Sequence, residues 1–228
     1  DMTPMTKFEV SGPNAENWLN ALLANRVPNR AGRIALCHLL THKGTVRSEF
    51  TVTRLGEELF YLIATPRGER HDFDVLWKQL PAGDSVVLRN VTAERGCFTL
   101  VGPNARDILA DITDGDLDND AFPWLSAQSR NVGFTPDVRM LRVNYEGELG
   151  WELYHPIAHQ ISLYDQLREA GASKGLRLAG MRAIESCRLD KSYRAMYRDL
   201  NVEHTAWESG LDRFIKLDNR DFVGREAL

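Results

Sequence analysis

Three carboxylates, Glu146, Glu148 and Glu152, gather in the stretch Arg142–Pro156 around a Glu-Gly-Glu-Leu-Gly turn. A carboxylate held on a strand can accept hydrogen bonds from the N–H edge of a flat heterocycle, and charge-assisted bonds of that kind are the strong ones. The stretch reads as two short strands joined by the turn. Side chains alternate across a strand, so Glu152 and Tyr154 share one face and Trp151 and Leu153 the other. If the sheet is half buried, an acid then points into a pocket or into water. A surface hairpin with solvated acids fits the same pattern. Asp72 falls in the first turn of an expected helix from about Glu69 to Leu80. Free N–H groups and the helix dipole favour an anion there, although a plain N-terminal helix acid reads identically. Arg182 lies near the start of a second expected helix, Met181–Tyr193. Its guanidinium suits two-pronged pairing with a carboxylate, or an ordinary surface salt bridge. A ligand with an N–H-rich aromatic head and an acidic tail would use all three residues.

The elements that position these groups are expected as follows. Phe8–Ser11 reads as a strand leading through Gly12-Pro13-Asn14-Ala15 into a helix with Trp18, Leu19, Leu22 and Leu23 on its apolar face. The same device recurs 90 residues later as Phe98–Val101, Gly102-Pro103-Asn104-Ala105 and a helix carrying Ile108 and Leu109. The repeat argues for two related halves. Ile34–Leu40, Glu49–Thr53 and Leu59–Ala64, separated by short turns, suggest an antiparallel meander. The helix from Glu69 should bury Phe73, Leu76 and Trp77. Val86–Leu88 is a further strand. Ile157–Lys174 is expected to be helical, with Ile161, Tyr164 and Leu167 inward and Gly175 as its stop. A turn is expected at Asp218-Asn219-Arg220. The fold class is therefore α+β.

Composition excludes several classes. The chain has 228 residues and a net charge of −4, so no basic surplus points to nucleic acid. No apolar run is long enough to span a bilayer, and no leader pattern stands at the amino terminus. Cys37, Cys97 and Cys187 are odd in number and widely spaced, which disfavours a disulfide framework and fits a reducing compartment. His38 and His42 sit on a strand and a turn, where a spacing of four does not converge on zinc. Asp111–Asp120 holds five aspartates but does not fit the glycine and closing glutamate at the set positions of a calcium loop. No metal is expected. Neither a Gly-x-Gly-x-x-Gly after a strand nor a Gly-x-Ser-x-Gly elbow is present. Both ends read as cut. Asp1-Met2-Thr3-Pro4 opens almost directly onto a strand, and Asp221–Leu228 reads like a helix just beginning, so a piece of a longer polypeptide is expected.

The run Tyr145-Glu146-Gly147-Glu148-Leu149-Gly150-Trp151-Glu152 resembles the Tyr-x-Gly-Glu-x-Gly-aromatic-Glu signature of the aminomethyltransferase family, that is, the T-protein of glycine cleavage and its relatives. The segment Gly180–Arg194 resembles the helix that follows it in those proteins. Asp199-Leu200, Trp207–Leu211 and Asp221–Leu228 look most like the folate-binding domains of dimethylglycine and sarcosine dehydrogenases. The resemblance covers nearly the whole chain.

It implies two related antiparallel-sheet and helix halves around a central folate hole, with the boundaries 1–95 and 96–217. Residues 218–228 would open a truncated C-terminal β-barrel domain. It implies tetrahydrofolate as cofactor, Glu152 holding the pteridine ring, Arg182 and Tyr145 contacting the ligand, and Leu39 and Leu40 lining the hole. Asp72 matches the catalytic aspartate near folate N5. The implied reaction is transfer of an aminomethyl or methylene group, forming 5,10-methylenetetrahydrofolate, with Asp72 ionised and stabilising developing positive charge. Glycine cleavage or dimethylglycine and sarcosine breakdown would supply the one-carbon unit. A flavin domain or a lipoyl carrier protein is the implied partner, in the cytoplasm or the mitochondrial matrix. A folate-binding or structural module without turnover, and a tetrahydrofolate-dependent demethylase using another methyl donor, remain as alternatives.

Overall fold

The computed structural model describes residues 1–218 and 220–228; the turn expected around Asn219 lies outside them. Its elements run β1 (Thr6–Ser11), α1 (Ala15–Leu22), β2 (Ile34–Leu40), β3 (Val46–Arg54), β4 (Leu59–Ala64), α2 (Glu69–Trp77), β5 (Val87–Asn90), β6 (Arg95–Val101), α3 (Ala105–Ala110), β7 (Ala127–Val132), β8 (Thr135–Leu141), β9 (Gly150–Pro156), α4 (Gln160–Gly171) and α5 (Met181–Asp190). The fold is α+β with two antiparallel sheets. The described residues divide into two compact units: Met5–Val91 with Arg194–Leu228, and Asp1–Pro4 with Thr92–Tyr193.

The first unit is built on a sheet of order β2-β3-β4-β1-β5. The expected meander is its β2, β3 and β4, and Ile34–Leu40 and Leu59–Ala64 match their predicted bounds. Both are apolar runs ended by turn residues, which is why they were legible. One core takes Phe8, Val10, Trp18, Leu19, Phe50, Phe60 and Leu76. A second gathers Leu40 and Val46 with Met196, Leu200, Ala206, Ile215 and Phe222. Fully burying each such side chain stabilises by roughly 1.5–3 kcal/mol. The C-terminal segment is bound in by backbone bonds, Val46 N to His204 O at 3.1 Å and Lys216 N to Ala24 O at 2.9 Å.

The second unit is built on a sheet of order β6-β9-β8-β7. Its core packs Trp151, Leu153, Phe122, Met140, Leu109 and Leu163. Strand β9 is central, so both its edges are paired, with Glu152 opposite Thr99 on one side and Leu141 on the other. The hairpin differs from expectation in one arm. Strand β8 stops at Leu141, and residues 142–149 form a loop. The Arg142 guanidinium turns away to Phe122 O and to Asn119 Oδ1, at 2.5 and 2.7 Å, while Asn144 Oδ1 takes the Gly147 N–H at 2.7 Å.

The repeated Gly-Pro-Asn-Ala unit is conformationally repeated as well. Gly12 and Gly102 have φ of 118° and 120°, a region that glycine alone enters without strain. Ala15 N bonds Gly12 O at 3.0 Å, and Ala105 N bonds Gly102 O at 3.1 Å. Two expected stripes are corrected. In α2 the buried residues are Asp72 and Leu76, whereas Trp77 is 56% exposed. In α4 they are Leu163, Leu167 and Gly171, and Ile161 is 76% exposed. A short 3₁₀ turn, Ile157–His159, precedes α4, whose inward positions step by four from Leu163.

Candidate functional site

Asp72 is buried because of where it sits on α2. Residues 72 and 76 share one helix face, and that face packs on the core, so the carboxylate continues the stripe begun by Leu76. It is 1% exposed. Its Oδ1 accepts Ser48 Oγ at 2.6 Å and lies 3.0 Å from His71 Nδ1. Burial lifts the Asp72 carboxyl above the usual range. The bonds from Ser48 and His71 and the charges of His71 and Arg47 oppose that rise. Among the described residues no lysine or arginine forms an ion pair with Asp72, and the exposed His71 ring is its one candidate cation at contact distance. Oδ2 makes no hydrogen bond to any described residue.

Ser48 was not singled out from the sequence, although a signal existed. Val46, Ser48, Phe50 and Val52 alternate along β3 and all are fully buried. A hydroxyl inside an apolar row needs a polar partner, and Asp72 is that partner. Leu39 stands opposite Ser48 in the β2–β3 ladder. Leu39 packs in the first core and Leu40 in the second, at 3% and 1% exposure. Leu39 thus stands beside Ser48, the hydrogen-bond partner of Asp72, while Leu40 packs with Val46 and the C-terminal segment.

In the other unit, Glu152 and Tyr154 project from one face of β9, and Tyr154 Oη donates to Glu152 Oε2 at 2.8 Å. Trp151 and Leu153, on the opposite face, are fully buried. Burial pushes the Glu152 carboxyl up to about 7, the charge of Glu146 adds to this, and the Tyr154 hydroxyl works against it. No described lysine or arginine pairs with Glu152. Tyr145 stacks on Tyr193 with ring centres 6.2 Å apart and planes 18° apart. Tyr193 carried no distinctive sequence signal; it follows α5, and its N–H bonds Arg188 O at 2.9 Å. Arg182 is exposed in the first turn of α5. Arg188, six residues on, is instead buried and paired with Glu185.

Asp72, Leu39 and Leu40 thus belong to one unit, and Glu152, Tyr145 and Arg182 to the other. The histidines behave as their separate faces required: His38 is buried beside Glu49 at 2.9 Å, and His42 is exposed in a turn. Burial holds the Cys37 thiol at about 12, which leaves it inert.

The family described as GCVT N-terminal domain matches residues 1–219. Human mitochondrial dimethylglycine dehydrogenase (Homo sapiens) is 36% identical over 230 residues, covering 100% of this chain and 26% of that protein. The mitochondrial pyruvate dehydrogenase phosphatase regulatory subunit of Mus musculus is 31% identical over 231 residues, again across 100% of this chain and 26% of its own length. The chain therefore spans about a quarter of these relatives. The solved glycine cleavage system aminomethyltransferase T from Bartonella henselae superposes with a TM-score of 0.87 at 24% identity, over 100% of this chain and 60% of that one. At that identity it shows the fold.

Proposed function

The chain belongs to the GCVT N-terminal domain family, and from that premise we propose that it serves tetrahydrofolate-dependent one-carbon transfer. The observation that carries the proposal is the state of Asp72 and Glu152. Each is a shielded carboxylate, raised by burial and lacking a lysine or arginine partner among the described residues. An uncompensated acid lowers stability, and such groups concentrate where a ligand answers them. A reduced folate fits this donor set. Its pterin head offers N–H donors and a flat face, and its tail offers carboxylates. When bound, it supplies a nucleophilic nitrogen that accepts a one-carbon unit, giving 5,10-methylenetetrahydrofolate.

The chain's own groups then have distinct tasks. Glu152 accepts the N–H donors of the pterin, and each charged bond contributes roughly 1.5–3 kcal/mol. Tyr145, stacked on Tyr193, offers an aromatic face. Arg182, exposed in the first turn of α5, offers its guanidinium fork to an acidic tail. Leu39 supplies the apolar wall beside Ser48, and Leu40 the packing against the C-terminal segment. Asp72 presents Oδ2 to positive charge developing on the transferred group while Ser48 and His71 fix Oδ1. A flavin domain that oxidises an N-methyl amine, or a lipoyl carrier, is the proposed source of the one-carbon unit. The mitochondrial relatives favour the matrix as the place of action.

A second reading, a module that binds without turnover, is favoured by the relative whose name is a regulatory subunit. Product analysis with tetrahydrofolate and an oxidised amine donor separates the two. The leading reading predicts 5,10-methylenetetrahydrofolate, formed at least about 100-fold more slowly by Asp72→Asn. Equal rates for wild type and Asp72→Asn would remove Asp72 from the chemistry. Formation of 5-methyltetrahydrofolate would instead identify a demethylase.

A further inference from the structure

The loop 142–149 carries Tyr145, and two devices hold it. The first is internal. Asn144 Oδ1 accepts the N–H groups of Gly147 and Glu148 at 2.7 and 3.1 Å, and Glu146 Oε2 accepts the Tyr145 N–H at 3.0 Å. These bonds fix the Tyr145 backbone but not the direction of its ring, which stacks on Tyr193.

The second device comes from the end of α5. Ser192 has a φ of 56°, the left-handed conformation that closes a helix. Ser192 N bonds Leu189 O and Tyr193 N bonds Arg188 O, both at 2.9 Å. This paired closure is a Schellman cap, and it sets the directions in which Lys191 and Tyr193 leave the helix. The buried Arg188 guanidinium donates to Tyr193 O at 2.7 Å and tightens the cap. Lys191 is thereby laid over the loop. A Cβ built on Gly147 would stand 2.5 Å from Lys191 Cγ and Cε and 2.8 Å from Cδ. The lysine stem thus fills the space that a side chain at Gly147 would need. Lysine stems pack in this way while the ammonium stays in water. Lys191 is exposed, and it forms no ion pair with any described residue.

We infer that Lys191 is a positioning residue: its aliphatic stem, seated on Gly147, locks the loop against the α5 cap and keeps the Tyr145 and Tyr193 rings stacked as one aromatic face for a flat ligand. The stem does this, not the charge. The inference rests on the reading that Tyr145 meets the pterin. It adds a residue that acts through Tyr145 without touching the ligand.

The test compares wild type with Lys191→Met, which keeps an unbranched stem without the charge, and Lys191→Ala, which removes the stem. Position 191 is exposed, so both variants should fold, and thermal melts check this. In protein carrying ring-labelled tyrosine, nuclear Overhauser cross-peaks between the Tyr145 and Tyr193 rings are expected in wild type and Lys191→Met and should be lost in Lys191→Ala. Calorimetric titration should show tetrahydrofolate binding weakened roughly three- to tenfold by Lys191→Ala, the weight of one misplaced aromatic contact, and less than about twofold by Lys191→Met. A direct charge contact with the ligand would instead make Lys191→Met as weak as Lys191→Ala. That result overturns the inference, as do cross-peaks absent from wild type, cross-peaks that survive Lys191→Ala, or their loss with no change in affinity. Loss of the cross-peaks in Lys191→Ala, in a protein whose wild type has no tetrahydrofolate affinity, would keep the contact between stem and loop and overturn the folate reading.

Discussion

At the scale of single residues, Asp72 sets stability against function. Its folded carboxyl is raised above the unfolded value, so the folded state binds the proton more tightly. The unfavourable contribution is absent below the unfolded value near 4. It grows as pH rises towards the folded value and persists above it. Asp72→Asn removes it, while the amide oxygen can still accept from Ser48. At pH 7 the variant should be more stable by roughly 1 kcal/mol, an increase of about 2–4 °C in melting temperature. At pH 4 the two proteins should melt within about 1 °C of each other. A constant difference across that range would mean that the carboxyl is not raised. Glu152→Gln should behave alike over a window from about 4.5 to about 7, by on the order of 1 kcal/mol after solvent screening. Both acids were visible as candidates from spacing alone. Their burial was not, because it depends on Leu76 placing Asp72 inward and on Trp151 and Leu153 fixing the other face of β9.

At the scale of elements, the two Gly-Pro-Asn-Ala corners offer a controlled comparison. Both glycines have φ near 120°, so replacement by alanine strains each backbone by about 1–3 kcal/mol. At Gly102 the new Cβ meets open space; at Gly12 it meets Ser85 O at 2.5 Å, which is backbone and cannot easily move. Urea melts should therefore place Gly12→Ala below Gly102→Ala by at least about 1 kcal/mol; equal losses would show that backbone strain alone governs both corners. A second comparison lies on α4. Leu163→Ala should lose about 2–5 kcal/mol, whereas Ile161→Lys should stay within about 0.5 kcal/mol. Apolar spacing along α4 permits more than one stripe, since Ile161, Leu163, Tyr164 and Leu167 fall on overlapping faces, and only packing against the sheet decides between them. Strands were more legible than helices here because Leu59–Ala64, and Ile34–Leu40 apart from His38, are apolar between turns. Strand β8 was misjudged because Arg142 finds its partners in the loop before β7.

At the scale of the whole molecule, the chain closes each sheet unit with a segment distant in sequence. Arg220 shows how: its guanidinium donates to Asn20 O at 2.7 Å, Leu23 O at 2.8 Å and Ala24 O at 3.2 Å, at the C-terminal end of α1. Those carbonyls have no partner within the helix, and the dipole there favours a cation. Arg220→Ala should lower stability by about 1–3 kcal/mol, seen as a lower urea midpoint, with loss of amide protection first at residues 20–24. An unchanged midpoint would make Arg220 an ornament of the surface. Such long-range tethers are invisible to pattern reading, since an arginine after a turn carries no local sign of its target. The family resemblance supplied the functional idea, and the geometry supplied its particulars in Ser48 and Tyr193. The most direct test is calorimetric titration of the protein with tetrahydrofolate, alongside Glu152→Gln and Asp72→Asn. The account predicts saturable binding, weakened at least about tenfold by Glu152→Gln and less than about threefold by Asp72→Asn. Binding indifferent to Glu152→Gln, or none by the wild type, would contradict it.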